Sequence, residues 1–314
     1  MCGIAGRITT GVGPVGRDIV ELAACMRHRG PDSTGFAIYG APRESGLVVR
    51  AFLDDRRRLD SALEALHLAT KEAGSDFVAD PTWDNTTQAH VLLRAQVDDI
   101  ADLAAWTLAA EEQAGLQILS AGRSLEIVKD VGDAREVDEK HHVSAMTGTH
   151  ALSHMRLATE SLVSPIASHP FWARPFPDVC IAHNGQLTNY YKWRRRLEHD
   201  GYHFSSENDS ELIAVWNSVQ MAGGHTLEES LRASISELDG VFTYLLATAD
   251  SIGMAKDRWA MKPLIGMQAD DGLALATEEQ SLRSLYREEI DVINYDGPSL
   301  TKVWTAAQPT GCVA

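Results

Sequence analysis

The chain has 314 residues, of which 44% are hydrophobic and 23% charged, as in an ordinary globular protein. Its formal net charge of −16 opposes binding to nucleic-acid phosphates or anionic lipid, so we expect neither nucleic acid nor a membrane as partner. The sequence shows no signal peptide, no long apolar run and no paired spacing among its four cysteines, which predicts a cytoplasmic protein with no metal site.

The first fifty residues predict alternating strands and helices. A strand is predicted over 3–9, followed by a glycine-rich loop. Asp18 is expected to cap a helix that ends near residue 27. Residues 28–35, HRGPDSTG, indicate a defined turn, and 36–39 a buried strand with 47–53 as its hairpin partner.

Residues 54–145 carry the weakest patterns, and we interpret them as a variable, insert-like region within a single domain spanning 1–314. The patterns predict a helix over 57–73, a strand over 87–96, a helix over 97–113, a hairpin from 116–119 and 125–128, and a charged surface loop over 130–142. His141 and His142 in that loop are expected to be solvated rather than metal-bound.

The second half has clearer signals. Strands are predicted over 149–157 and 178–183, the latter running into Asn184-Gly185, a strong turn dipeptide. Helices are predicted over 188–201, 207–220 and 227–238. The remainder is predicted as strands over 241–248, 252–256, 263–267, 273–277, 292–295 and 300–304, with a helix over 279–287.

Cys2 is the first candidate for chemistry. Removal of Met1 would leave a residue that carries both a thiol and a free α-amine, and such an amine can take the proton of its own nucleophile. The thiolate is the attacking species, so this pairing would activate the sulfur. Two alternatives stay open: most cysteines are small buried hydrophobes, and a retained Met1 would turn the base into an amide nitrogen.

Cleaving an amide also requires donors for the oxyanion and groups that hold the substrate. Asn184 and Gly185 offer a side-chain amide and a backbone N–H, Arg156 a fork for a carboxylate, and Asp209 an anion for an ammonium group. Together they fit a free amino acid with a scissile side-chain amide, glutamine or asparagine. Alternatively, Asn-Gly is only a turn, Arg156 only pairs with Glu160, and Asp209 is only a helix cap.

Taken in order, MCGIAG, HRGPDSTG, RLATES, SHPF, HNG and ENDSE resemble class II glutamine amidotransferase domains, which are N-terminal nucleophile hydrolases. The resemblance spans nearly the whole chain and is weakest over 54–145. It implies an α+β fold, a four-layer αββα sandwich, with Cys2 as the nucleophile.

The resemblance also implies roles for the other candidates. Asn184 and Gly185 match the oxyanion hole of the family, Arg156 and Asp209 match the groups that hold the α-carboxylate and α-amine of glutamine, and Thr159 matches a further pocket residue. Leu157 stands where some related families have tryptophan.

Within the family, the motifs look closest to stand-alone subunits of the glutamate-synthase type, similar to the amidotransferase subunit of N-methylglutamate synthase. No ATP-pyrophosphatase loop follows the amidotransferase motifs, and the chain ends before a synthase or isomerase domain would be expected. This implies glutamine or glutamate as substrate and two partner chains, an FMN-binding synthase subunit and an accessory subunit. No dinucleotide or phosphate-binding motif occurs, so we expect no cofactor in this chain, with FMN and Fe–S centres on the partners.

The sequence thus predicts a glutaminase that forms a γ-glutamyl thioester on Cys2 and works within a multi-subunit synthase. Two alternatives remain: a non-catalytic scaffold subunit of such a complex, and a cysteine amidase of the same hydrolase type with another substrate. A retained Met1 would favour the first alternative, and activity toward acyl amides would favour the second.

Overall fold

The computed structural model describes residues 2–84, 89–157, 163–286 and 291–306. In these ranges the chain forms three antiparallel sheets, and α-helices cover their outer faces. The predicted α+β class is confirmed. No helix within the described ranges combines the length and apolar character needed to cross a bilayer.

The largest sheet has seven strands and contains the N-terminal strand near its centre. Its members are β1 (Gly3–Gly13), β2 (Ser33–Tyr39), β7 (Leu125–Val131), β8 (Gly148–Arg156), β13 (Ile265–Ala269), β14 (Gly272–Ala276) and β15 (Val292–Asn294). They lie in the order β15-β13-β14-β1-β8-β2-β7. The predicted first strand is therefore longer than expected, because it continues through the glycines that were assigned to a loop.

A five-stranded sheet packs against one face of the largest sheet. Its members are β9 (Phe171–Trp172), β10 (Cys180–Leu187), β11 (Gly240–Ala247), β12 (Ser251–Lys256) and β16 (Thr301–Thr305), in the order β16-β12-β11-β10-β9. Ile4 and Leu152 of the larger sheet share one apolar core with Leu245 and Met254 of the smaller. Burial of this shared face holds the two sheets together.

Helices cover the outer face of each sheet. Helices α1 (Val15–Ala24), α4 (Ala134–His141) and α8 (Glu279–Arg283) pack on the larger sheet, and α5 (Tyr190–His199), α6 (Asp209–Ala222) and α7 (Leu227–Glu237) on the smaller. Alternation along β2 shows the arrangement: Phe36 and Ile38 face the helices, while Ala37 and Tyr39 face the core between the sheets. These are the four layers of an αββα sandwich.

A third sheet arises from the weakly patterned part of the sequence. It consists of β3 (Leu47–Leu53), β4 (Phe77–Trp83), β5 (Val91–Val97) and β6 (Gln117–Gly122), with α2 (Leu59–Glu72) and α3 (Leu103–Ala114). Both predicted hairpins are wrong, the one from 36–39 and 47–53 and the one from 116–119 and 125–128. Strand β3 pairs with β5 and β6, and β7 pairs with β2 rather than with β6. Strands β3 and β6 are mostly apolar and buried on both faces, so their sequences carry little alternation to indicate a partner.

The predicted helix cap at Asp18 and the predicted surface loop over 130–142 are both wrong, and each contains a buried acidic residue that contacts a basic side chain. Asp18 does not cap α1 but lies inside it, where its Oδ2 accepts from Arg7 Nε at 3.0 Å. Residues 130–142 are not a surface loop, because they end β7 and form α4. His141 is buried rather than solvated, with its Nε2 3.1 Å from Oδ2 of the buried Asp130. No cluster of metal-ligating side chains occurs among the residues that the structure describes.

One buried cation braces the loop that leads into the smaller sheet. Lys129 of β7 donates from Nζ to the carbonyls of Ser168 at 2.7 Å and Pro170 at 3.3 Å. Burial lowers the pKa of Lys129 to about 7. The charged form costs desolvation energy, and the carbonyls offset part of that cost.

This burial predicts a pH-dependent stability. An unfolded lysine keeps its proton up to pH 10.5, whereas folded Lys129 loses it near pH 7, so unfolding takes up a proton between these values. The free energy of unfolding should therefore rise with pH in this window, by at most about 1.4 kcal/mol per pH unit from this group. Urea unfolding at several pH values should show a smaller slope in Lys129→Met than in the wild type. The same substitution at exposed Lys192 should leave the slope unchanged, and equal slopes in all three proteins would refute the assignment.

Candidate active site

A cavity of about 840 Å³ lies where the N-terminal end of β1, the C-terminal ends of β8 and β10, and the start of α6 come together. Its lining includes five residues that the sequence singled out: Cys2, Arg156, Asn184, Gly185 and Asp209. They come from four separate stretches of the chain, so the fold alone brings them together. Thr159, the sixth candidate, lies outside the described residues, as does Met1.

Strand pairing fixes the position of Cys2. The next residue, Gly3, pairs with Met155 of β8. Ile4 donates from its backbone N–H to Thr277 Oγ1 at 2.9 Å and accepts from the backbone N–H of Thr277 at 3.1 Å. The strand is therefore held from both sides directly after the cysteine. Cys2 itself is partly exposed and lines the cavity, unlike a cysteine that only fills a core.

Asn184 lies beside the candidate nucleophile. Its Nδ2 donates to the backbone carbonyl of Cys2 at 3.1 Å, which joins the two facing sheets at the site. An amide nitrogen carries two hydrogens, so a second donor remains for a substrate oxygen. The side chain is buried, which holds this donor in place without competition from bulk water.

The Asn184-Gly185 pair is not a turn. Strand β10 continues to Leu187, with Asn184 opposite Thr243 and Gly185 opposite Phe242 of β11. Gly185 has a φ of +149°, and a Cβ at this position would lie 2.1 Å from the carbonyl oxygen of Val241. The glycine is thus required by close approach of the neighbouring strand within the sheet. The turn prediction is wrong because a turn and a strained strand residue select the same amino acid.

Arg156 ends β8 and faces the same cavity as Cys2. Its backbone carbonyl accepts from the N–H of Asp32 at 3.2 Å, so the HRGPDSTG stretch supports the end of this strand. Gly35 of that stretch lets another site segment approach, since a Cβ there would lie 2.0 Å from the carbonyl oxygen of His169. The arginine side chain is buried, which suits a cation that binds a carboxylate away from solvent.

Asp209 is the first residue of α6, and the helix cap is its neighbour Asn208, whose Oδ1 accepts from the N–H of Ser210 at 2.9 Å. Asp209 Oδ2 accepts from the N–H of Leu187 at 2.8 Å. Burial opposes ionisation of Asp209, but the nearby His183 and the hydrogen bonds from Leu187 and Ser210 outweigh it and lower the pKa of the carboxyl. The cavity therefore holds a negative charge at neutral pH.

Sequence reasoning missed three histidines and a serine that line the cavity: His154, His169, His183 and Ser210. Burial lowers the pKa of His154 to about 3, and that of His169 falls well below its usual value, so both rings are neutral. The sequence did contain a signal for these histidines, because each lies in or beside a motif that marks the site: His154 in SHMR, His169 in SHPF and His183 in HNG. His154 also precedes Arg156 by two residues, which places both on one face of β8.

Comparisons with known proteins agree with this geometry. A model of the glutamine amidotransferase domain matches residues 154–284, the part that contains Arg156, Asn184 and Asp209. The chain is 35% identical over 292 residues to a "Putative glutamine amidotransferase" of Methanothermobacter thermautotrophicus, and the match covers 91% of this chain and 94% of that protein. The chain belongs to the glutamine amidotransferase family.

A second relative and a solved structure extend the comparison. This amidotransferase is 32% identical over 288 residues to "Glutamine amidotransferase-like protein GlxB" of Rhizobium meliloti, with 91% of this chain and 92% of that protein covered. The structure of glutamine phosphoribosylpyrophosphate amidotransferase from B. subtilis matches 98% of this chain with a TM-score of 0.62 and 18% identity. The chain spans 48% of that enzyme's length, and the likeness is one of fold.

The geometry at Gly185 can be tested by stability. Gly185→Ala should cost several kcal/mol of unfolding free energy, because it adds a clash to the strain of a positive φ. Gly201→Ala is the matched control, since Gly201 has a φ of +91° and no atom within 4 Å of the added Cβ. The control should lose only about 1 kcal/mol in urea unfolding. Equal losses would show that Val241 does not crowd this position.

Proposed function

We propose that this amidotransferase hydrolyses the γ-amide of L-glutamine through a γ-glutamyl thioester on Cys2. The observation that carries the proposal is the 3.1 Å hydrogen bond from Asn184 Nδ2 to the carbonyl of Cys2. It holds a buried amide donor against the backbone of the residue that carries the thiol, in a cavity whose lining also includes Arg156 and the ionised carboxylate of Asp209.

In the proposed reaction, the Cys2 sulfur attacks the γ-carbon of glutamine. The oxyanion that forms accepts hydrogen bonds from the free N–H of Asn184 Nδ2 and from the backbone N–H of Gly185. After removal of Met1, the α-amine of Cys2 takes the thiol proton and returns it to the departing nitrogen as the C–N bond breaks. Water then cleaves the thioester, which releases glutamate and restores the thiol.

The proposed substrate recognition follows from two opposite charges in the cavity lining. Arg156 is proposed to bind the α-carboxylate of glutamine and Asp209 its α-ammonium group, because each presents the opposite charge. Asp209 keeps one carboxylate oxygen on the N–H of Leu187, which fixes its orientation before substrate arrives. Thr159 is proposed as a further pocket residue on the family resemblance alone.

We also propose that the released ammonia passes to a partner chain of a glutamate-synthase-like complex in the cytoplasm. The motif set from RLATES to ENDSE supports this assignment and favours N-methylglutamate synthase among such complexes. FMN and Fe–S centres would then reside on the synthase and accessory subunits. Affinity purification of the chain from its own cells should recover an FMN-containing subunit, and recovery of the chain alone would count against the complex.

Loss of the nucleophile tests the hydrolase directly. Cys2→Ala should abolish release of glutamate from L-glutamine while leaving thermal unfolding unchanged, because Cys2 lies partly exposed in the cavity. Cys25→Ala is the matched control, since Cys25 is also a partly buried free cysteine but does not line the cavity. The control should keep wild-type turnover. Persisting activity in Cys2→Ala would exclude the thioester route, and a wild type that cleaves only other amides would favour the alternative amidase.

The carboxylate-binding role of Arg156 predicts a selective effect on KM. Arg156→Ala should raise KM for L-glutamine by about 10- to 100-fold with little change in kcat, because the carboxylate is bound equally before and during reaction. The wild type should discriminate against glutaminamide, which lacks the carboxylate, and the variant should not. Arg258→Ala, at a surface ion pair with Asp239, should behave as wild type. Retained discrimination in Arg156→Ala would remove this residue from the pocket.

A further inference from the structure

Four buried side chains connect the substrate-binding residues to one another. Ser210 is fully buried on α6, and its Oγ lies 2.8 Å from His183 Nδ1 and 2.6 Å from His169 Nε2. His154 Nε2 donates to the backbone carbonyl of His183 at 3.1 Å. These contacts join β8, β10, α6 and the segment before β9 behind the cavity.

Three of the four members of this network are close in sequence to a residue with a proposed role. His154 lies two residues before Arg156, His183 directly before Asn184, and Ser210 directly after Asp209. A shift of any of these three therefore moves a substrate-binding residue or an oxyanion donor with it. Within the network, only the Ser210 hydroxyl bonds side chains from two other segments.

The hydroxyl leaves little freedom to the two rings that it contacts. A hydroxyl has one hydrogen and two acceptor lone pairs, so Ser210 can bond both rings, and its Oγ also lies 3.5 Å from Oδ1 of Asp209. The remaining ring nitrogens, His169 Nδ1 and His183 Nε2, have no hydrogen-bond partner among the described residues. Among the described residues, Ser210 thus makes a side-chain hydrogen bond to each ring. The His169 ring also packs on His154, with ring centroids 4.0 Å apart, and His183 lies 3.6 Å from Asp209.

The orientation of His183 matters for the oxyanion donor. Its Nε2 lies 2.9 Å from the position that a Cβ on Gly185 would occupy, so the ring packs directly on the glycine. A ring that turned away would remove this support from the Gly185 backbone. Since an oxyanion donor acts only when it is held at the correct place, the consequence would appear in the chemical step.

We propose that Ser210 is a positioning residue. Through its contacts with His183 and His169 it keeps the oxyanion donors, Asn184 and Gly185, correctly placed relative to Asp209. This inference rests on the proposed glutaminase function. It assigns to Ser210 no contact with substrate. The residue acts through the rings, so its loss should lower kcat more than it raises KM.

Kinetics of paired serine variants test the role. Ser210→Ala should lower kcat for L-glutamine by about 10- to 100-fold with a much smaller change in KM. Ser218→Ala is the matched control, because Ser218 is equally buried on the same helix and its Oγ has no hydrogen-bond partner among the described residues. The control should keep wild-type kcat, and Ser210→Thr, which retains the hydroxyl, should restore most of the loss. Equal kcat values in the two alanine variants would overturn the proposal.

A second measurement does not depend on activity. Imidazole ¹⁵N NMR of the whole protein should show displaced ring signals for His169 and His183 in Ser210→Ala and undisturbed signals in Ser218→Ala. Unmoved signals would overturn the network even if kcat fell. If the wild type hydrolysed no glutamine, the proposed function would fail and the positioning role with it. An active wild type with equal variants would overturn the positioning role alone.

Discussion

The pairing of β1 between β8 and β14 is the constraint on which the site depends. This strand begins directly after Cys2, and its register is fixed on both sides: Gly3 lies opposite Met155, and Ala5 lies opposite Ala276. A slip of one residue would exchange the core face of β1 with its helix-covered face, which burial on both faces forbids. Cys2 is thus fixed at the N-terminal end of β1. There the side-chain amide of Asn184, from the facing sheet, donates to the backbone carbonyl of Cys2.

The electrostatics of the cavity follow from which groups are buried and which are paired. The histidines behind it are neutral where burial disfavours their charge, so the charges that remain for a zwitterionic substrate include Arg156 and Asp209. The carboxylate keeps its charge because a backbone N–H and a nearby ring stabilise it. An amino acid with both groups charged can therefore enter without either site residue changing protonation.

Sequence reasoning succeeded where a local signal had one physical meaning. The sequence patterns located α2, α6 and α7 closely, and the order of short motifs identified the site residues that the fold brings together in one cavity. The predictions were wrong where a sequence pattern was compatible with two structures or did not select any strand partner. Asn184-Gly185 is typical of a turn but here serves a strand, and the apolar runs of β3 and β6 contain nothing that selects a partner. The histidine cluster was missed because each ring occurs in a different motif, and only the tertiary fold brings the three together.

The proposed thioester mechanism requires that the thiol of Cys2 carry the acyl group during turnover and that Cys2 be the first residue of the active chain. Mass spectrometry of protein quenched with acid during L-glutamine hydrolysis tests both points in one measurement. We expect an N-terminal peptide that begins at Cys2 and carries one γ-glutamyl group, which is lost on treatment with hydroxylamine. An N-terminal peptide that retains Met1 and carries no glutamyl group, in a protein that nevertheless releases glutamate, would contradict the central claim.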